Sequence, residues 1–175
     1  MVINNALLST FISFMFSKKS FTPEQAFQKI KQFCAYQERC HREVTDKLYS
    51  FGLYKKDVEI ILSNLIEENY LNEERFAIAF AGGKFRMKQW GRVKINHELK
   101  QKGVGSYCVA LALKEIGEET YLATLKTLAT KKWDSLKEEQ YLNRQAKTAA
   151  FLLQKGFEQH LIAAAIDEIR KGKPE

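Results

Sequence analysis

Residues 70–104 read YLNEERFAIAFAGGKFRMKQWGRVKINHELKQKGV. The opening is a helix start: Asn72 stands where a cap is needed, and Glu73 and Glu74 fall in the first turn, where the helix dipole favours negative charge. Phe76, Ala79, Phe80 and Gly83 recur at spacings of three and four, which predicts that they share the buried face. From residue 84 the character changes. Lys84, Arg86, Lys88, Arg92, Lys94, Lys100 and Lys102 stand against one acid, Glu98, a local excess of six in a chain of formal net charge +7. Phe85 and Trp90 lie among these cations. Basic side chains with interleaved aromatics are what phosphate binding and base stacking need. The plain alternative is a solvated helix face with both rings turned into the core. Trp90 is expected to pack at a helix junction rather than to stack on a base. Arg86 and Arg92 lead the candidate anion contacts, because a guanidinium can grip phosphate or carboxylate through two parallel bonds.

The end of this stretch decides the fold. Gly103 closes a helix, and Gly52 and Gly156 stand 51 residues before it and 53 after it. Four residues before each glycine lies a leucine: Leu48, Leu99 and Leu152. Six after come Val58, Val109 and Ile162, ten after come Leu62, Leu113 and Ile166, and thirteen after come Leu65, Ile116 and Ile169. All are expected to be buried. Tyr70-Leu71 and Tyr121-Leu122 then open the next unit. Apolar matches alone arise between any two amphipathic helices; joined to a shared helix-ending glycine at three places, they mark an internal repeat.

The expected organisation is three tandem three-helix repeats over 22–69, 70–117 and 118–170, with a poorly ordered N-terminal extension (1–21) and a tail (171–175). In the first repeat Thr22-Pro23-Glu24-Gln25 makes a capping box with Pro at the first helical position. Helices follow to about Gln37, from His41 to Phe51 and from Lys55 to Glu68. In the third, Tyr121, Leu125 and Leu128 face inward, and Ser135 with Glu138 is read as a capping box for the middle helix. The fold class is all-α. A unit of this size buries too little alone, so the repeats are expected to stack into an elongated, curved right-handed array that offers a long surface rather than a pocket. Gly82-Gly83 interrupts helix propensity in the central repeat. It reads as a kink, a close approach to a partner, or close packing on a neighbouring helix.

Composition narrows the function. The chain has 175 residues, 45% of them hydrophobic and 28% charged, which is ordinary for a globular protein and argues against wholesale disorder. A pI near 9.2 points to an acidic partner, most commonly nucleic acid. Three cysteines without a CxxC spacing indicate buried thiols and a reducing cytosol. Cys34, Cys40 and His41 lack a fourth ligand at a recognised spacing, so neither metal nor cofactor is expected. His97 and His160 stand alone, and no nucleophile–base set or phosphate-cradling loop occurs; the protein does not read as an enzyme. Residues 1–16 are apolar, but the charges of Lys18 and Lys19 follow the run rather than precede it, and the run is too short to span a bilayer. Met15 offers an alternative start.

Taken together, YLNEERFA (70–77), FRMKQWGRVKI (85–95) and HELKQKGV (97–104), with AYQERCHREVTDKLYSFGL (35–53) in the first repeat, resemble the RecX family of regulatory proteins. The similarity runs over about 22–170 and is weakest in the third repeat, where only the helix pattern is clear. The resemblance implies tandem three-helix repeats. It also implies a modulator of the RecA recombinase, usually an inhibitor, lodged in the groove of the RecA–single-stranded-DNA filament. There it would interfere with strand exchange, ATP hydrolysis and coprotease activity in DNA repair, recombination and the SOS response. The protein is expected to be a cytoplasmic monomer without membrane attachment. Two other classes stay open. One is a helix-turn-helix transcription regulator over 92–116, although residues 105–111 offer few groups for base edges. The other is a scaffold that binds protein alone, whose partner binding would be insensitive to salt.

Overall fold

The computed structural model describes residues 21–171. The expected N-terminal extension up to residue 20, the alternative start at Met15 and tail residues 172–175 lie outside the described residues. The first helix begins as its sequence requires. Gln25 N–H donates to the Thr22 hydroxyl and Thr22 N–H donates to the Gln25 side-chain oxygen, both at 3.3 Å, which satisfies two otherwise orphaned donors. This helix, α1, spans Pro23–Tyr36 and is followed by α2 (His41–Ser50) and α3 (Lys55–Glu67). Ala26, Ile30 and Cys34 from α1 meet Val44 and Leu48 of α2 and Val58, Ile61 and Leu65 of α3, with Leu53 and Leu71 closing the core. Phe21, assigned on sequence to the extension, sits edge-on to Phe51 at 5.1 Å, and its N–H donates to the Phe51 carbonyl.

Backbone contacts divide the chain into two units, one ending at Leu71 and the other beginning at Asn72. The second unit holds α4 (Glu73–Lys88), α5 (Arg92–Gln101), α6 (Ser106–Lys114), α7 (Glu118–Asp134), α8 (Tyr141–Lys155) and α9 (Gln159–Lys171). The Asn72 side chain accepts from Arg75 N–H at 2.9 Å and so caps α4 as predicted. Helix α4 packs most extensively on α6. A file of rings, Phe85 to Tyr121 at 5.7 Å and Tyr121 to Phe157 at 5.1 Å, carries one core from α4 through α7 into the loop before α9. Among the described residues all regular structure is helical.

The glycine-marked repeat holds in three dimensions. Gly52, Gly103 and Gly156 have φ of 86°, 80° and 89°, the left-handed conformation that ends a helix with least strain when no Cβ is present. Leu48, Leu99 and Leu152 are fully buried, as are Leu65, Ile116 and Ile169 or nearly so. Val104 N–H reaches back to the Leu99 carbonyl, and Phe157 N–H to that of Leu152, the reverse bond that seals such an end. At the tenth position only Ile166 is buried; Leu62 and Leu113 are half-covered, so the expectation of complete burial fails there.

Two other local expectations are corrected. The buried residues of α4 are Phe76, Ala77, Ala81 and Phe85, whereas Ala79 is exposed and Phe80 and Gly83 are half-buried. Large apolar residues draw the predicted stripe toward Phe80, but two of the four buried positions of this helix are small alanines. Ser135 does not cap α8. Its hydroxyl donates to the Lys132 carbonyl at 2.7 Å at the end of α7, and α8 begins only at Tyr141.

Candidate nucleic-acid interface

The basic segment lies where α4 ends and α5 begins, and that corner is built against α8. Gln89 adopts a left-handed conformation (φ 53°) and turns the chain out of α4. Gly91 N–H then donates to the Lys155 carbonyl at 2.8 Å, and Val93 N–H donates to the Gly156 carbonyl at 3.1 Å. Unsatisfied amides at the start of α5 thus meet unsatisfied carbonyls at the end of α8, an arrangement that also aligns the two helix dipoles head to tail. The approach is close enough to exclude side chains: a Cβ on Gly91 would lie 2.1 Å from the Gly156 oxygen.

Arg92 belongs to this junction. Its guanidinium donates to the Ile116 carbonyl at 2.9 Å, pairs with Glu118 at 2.7 Å and lies over the Tyr121 ring at 4.1 Å. Its backbone N–H donates to the Tyr121 hydroxyl, which in turn donates to Glu158 at 2.6 Å. Burial first, and then the bond to Glu158, push the Tyr121 hydroxyl well above the usual tyrosine range. Arg92, ranked on sequence with Arg86 as a leading anion contact, therefore has its charge engaged within the protein. Phe85 is buried against Tyr121 and is a packing residue.

The remaining cations stay outward. Lys84 Nζ sits 5.1 Å from the Phe80 centroid and 5.0 Å from that of Trp90. Lys94 Nζ stands 4.7 Å from Trp90 and donates to the Gln154 carbonyl at 3.3 Å. Lys102 Nζ stands 5.6 Å from Phe80. Lys88 and Lys100 are exposed, and the Lys88 carbonyl accepts from Lys155 Nζ at 3.0 Å. Arg86 is exposed too. Its guanidinium folds back over Gly82, where a Cβ would come within 2.7 Å of it, and helps line a cleft of about 310 Å³ with Ile78, Phe85, Ile116 and Thr120. Gly82 makes room for Arg86, while Gly83 faces open space, and α4 runs helical through both.

The structure thus gathers Lys84, Lys94 and Lys102 around Phe80 and half-buried Trp90, and removes Arg92 and Phe85 from that surface. Phe80 was missed. Its i,i+4 spacing to Lys84 was the available signal, obscured because a phenylalanine on an amphipathic helix reads first as core. Among the described residues no group of three or more His, Cys, Asp or Glu is placed to hold a metal ion, and no helix is long and apolar enough to cross a membrane.

Two family models match the second unit. That of the RecX second three-helix domain covers residues 72–113, and that of the RecX third three-helix domain covers 119–166. The chain belongs to the RecX family. Regulatory protein RecX of Bacillus cytotoxicus is 24% identical over 150 residues, which is 86% of this chain and 56% of that protein. That of Bacillus mycoides is 23% identical over the same shares. The chain therefore spans little more than half the length of these RecX relatives. The crystal structure of RecX from Lactobacillus salivarius superposes with a TM-score of 0.78 at 25% identity, covering 85% of this chain and 97% of that one. A second crystal structure, of a regulatory protein RecX, gives 0.76 at 23% identity over 83% and 73%. These RecX folds agree with the all-α repeat architecture derived above.

Proposed function

We propose that this chain is a regulatory protein that binds the RecA–single-stranded-DNA filament and modulates it, in the inhibitory direction. The activities affected are strand exchange, ATP hydrolysis and coprotease function in DNA repair and the SOS response. It acts in the cytoplasm as a monomer and without a cofactor. Membership of a family of regulatory proteins supports the class of function. The observation that carries the reading is the lysine–aromatic surface at the α4–α5 corner, where Lys84, Lys94 and Lys102 are seated on Phe80 and Trp90; Arg86, Lys88 and Lys100 of the same segment are exposed. Such a surface suits a polyanion. The first five residues of helix α6, by contrast, expose only Ser106, Tyr107 and Ala110, a poor set for reading base edges, which disfavours a transcription regulator.

Co-sedimentation with RecA filaments preassembled on single-stranded DNA tests the reading. The wild-type protein is expected in the pellet, and the Lys84→Gln/Lys94→Gln variant is expected to shift toward the supernatant while keeping its circular dichroism. Equal pelleting of both proteins would move the partner surface elsewhere, and no pelleting of either would remove the filament as partner.

A further inference from the structure

The pairing of rings with lysines does not stop at the basic segment. In α7 and α8, outside the 84–102 cluster, Phe151 carries Lys132 Nζ at 5.7 Å and Lys155 Nζ at 5.8 Å from its centroid. Three half-buried rings, Phe80, Trp90 and Phe151, therefore each hold two ammonium groups. Contacts join them into one series. Lys84 links Phe80 to Trp90, Lys94 links Trp90 to the end of α8 through the Gln154 carbonyl, and Lys155, the next residue, reaches the Lys88 carbonyl from its place beside Phe151.

We infer that this series is a track for the sugar–phosphate backbone of one nucleic-acid strand. On this inference the track crosses from the second three-helix set into the third and reads phosphate without reading bases. The inference rests on the proposed nucleic-acid function and specifies its ligand. An ammonium seated on a ring has its flexible stem ordered in advance, and its three donors let it meet an anion in addition to a carbonyl it already serves, as Lys94 and Lys155 do. Conformational freedom that would otherwise be lost on binding a phosphate is already lost in the free protein. The same seating disfavours base stacking. A base laid on Phe80, Trp90 or Phe151 would displace an ammonium from the ring and with it the phosphate contact. Spacing along the series, not base identity, then determines which ligand fits.

Competition for the full-length protein, bound to labelled oligothymidylate and read by fluorescence anisotropy, tests this. An abasic strand of equal length is expected to compete within about three-fold of oligothymidylate, because a stacked base would be worth roughly five-fold to more than a hundred-fold. An uncharged peptide nucleic acid is expected not to compete. Lys132→Gln, remote from residues 84–102, is expected to lower the salt slope of binding by about 0.7, the loss of one single-strand phosphate contact, and Lys132→Arg to restore it. An abasic strand that competes more than ten-fold worse, or an unchanged slope in Lys132→Gln, overturns the inference. The proposed function fails separately: RecA filaments that bind the protein while free strands do not would overturn the track alone. Strands that bind as described while RecA activity is untouched would uphold the track and remove the filament role.

Discussion

Arg92 stands among seven cations, and its immediate sequence does not distinguish it from Arg86. Which of two arginines turns inward depends on groups far along the chain, here the Ile116 carbonyl, Glu118 and Tyr121, brought together only by the fold. The charge cluster was legible in the sequence; the division between structural and outward cations was not. Tyr121 is the hinge of this arrangement. Tyr121→Phe leaves the Arg92 amide and Glu158 without their shared partner, and is expected to destabilise the second unit by about 1–3 kcal/mol in urea melts. Gly91→Ala would set a Cβ against backbone at 2.1 Å, and a loss of about 2–3 kcal/mol or more is expected from the displacement this forces. Unchanged melting in Gly91→Ala would mean that the α5–α8 junction is not as close as described, and in Tyr121→Phe that the hydroxyl does not bridge Arg92 and Glu158.

Cys34 gives a pH signature at the same scale. Burial pushes its thiol up to about 11, from an ordinary value of 9.0. Between those values the unfolded thiol ionises while the folded one keeps its proton. The stability present below pH 9 is therefore lost as pH rises toward about 11. Tyr121, also raised, adds to the decline from its ordinary value of 10.0 upward. Urea midpoints between pH 8 and 11 should fall less steeply for Cys34→Ala than for wild type, and parallel curves would show that the thiol is hydrated.

Among the elements, the best-read feature was the glycine-ended helix. A left-handed terminus, a leucine four residues before it and an apolar position six after it recur because each solves the same local problem: ending a helix while covering its core. Leu48, Leu99 and Leu152 occupy that leucine position fully buried, and Leu99→Ala is expected to cost roughly 2–5 kcal/mol. Leu113, half-covered, is expected to cost distinctly less as Leu113→Ala; equal losses in thermal melts would contradict the difference in burial. The buried face of α4 differs from the predicted stripe because two of its four buried residues are alanines. Ala77 and Ala81 give a weak hydrophobic signal, and Phe80, with a strong one, lies half outside beneath two lysines. The Ser135 expectation failed for a related reason, since its hydroxyl found a carbonyl of the preceding helix rather than the start of the next.

For the whole molecule, family, all-helical class and repeat were within reach of sequence, because they depend on periodicity and on motif words rather than on side-chain orientation. The lysine–aromatic series was only partly so. Its first half lies in one run of residues, but Lys132, Phe151 and Lys155 join it through the packing of α8 against α5. The role proposed for that surface makes a demand on activity as well as binding. The most direct measurement is the steady-state ATPase of RecA on single-stranded DNA, with substoichiometric wild-type protein beside the Lys84→Gln/Lys94→Gln variant. The account predicts that wild type lowers the rate and that the folded variant lowers it distinctly less, with the difference shrinking as salt is raised. A rate unaffected by wild type, or lowered equally by both proteins at every salt concentration, would contradict it.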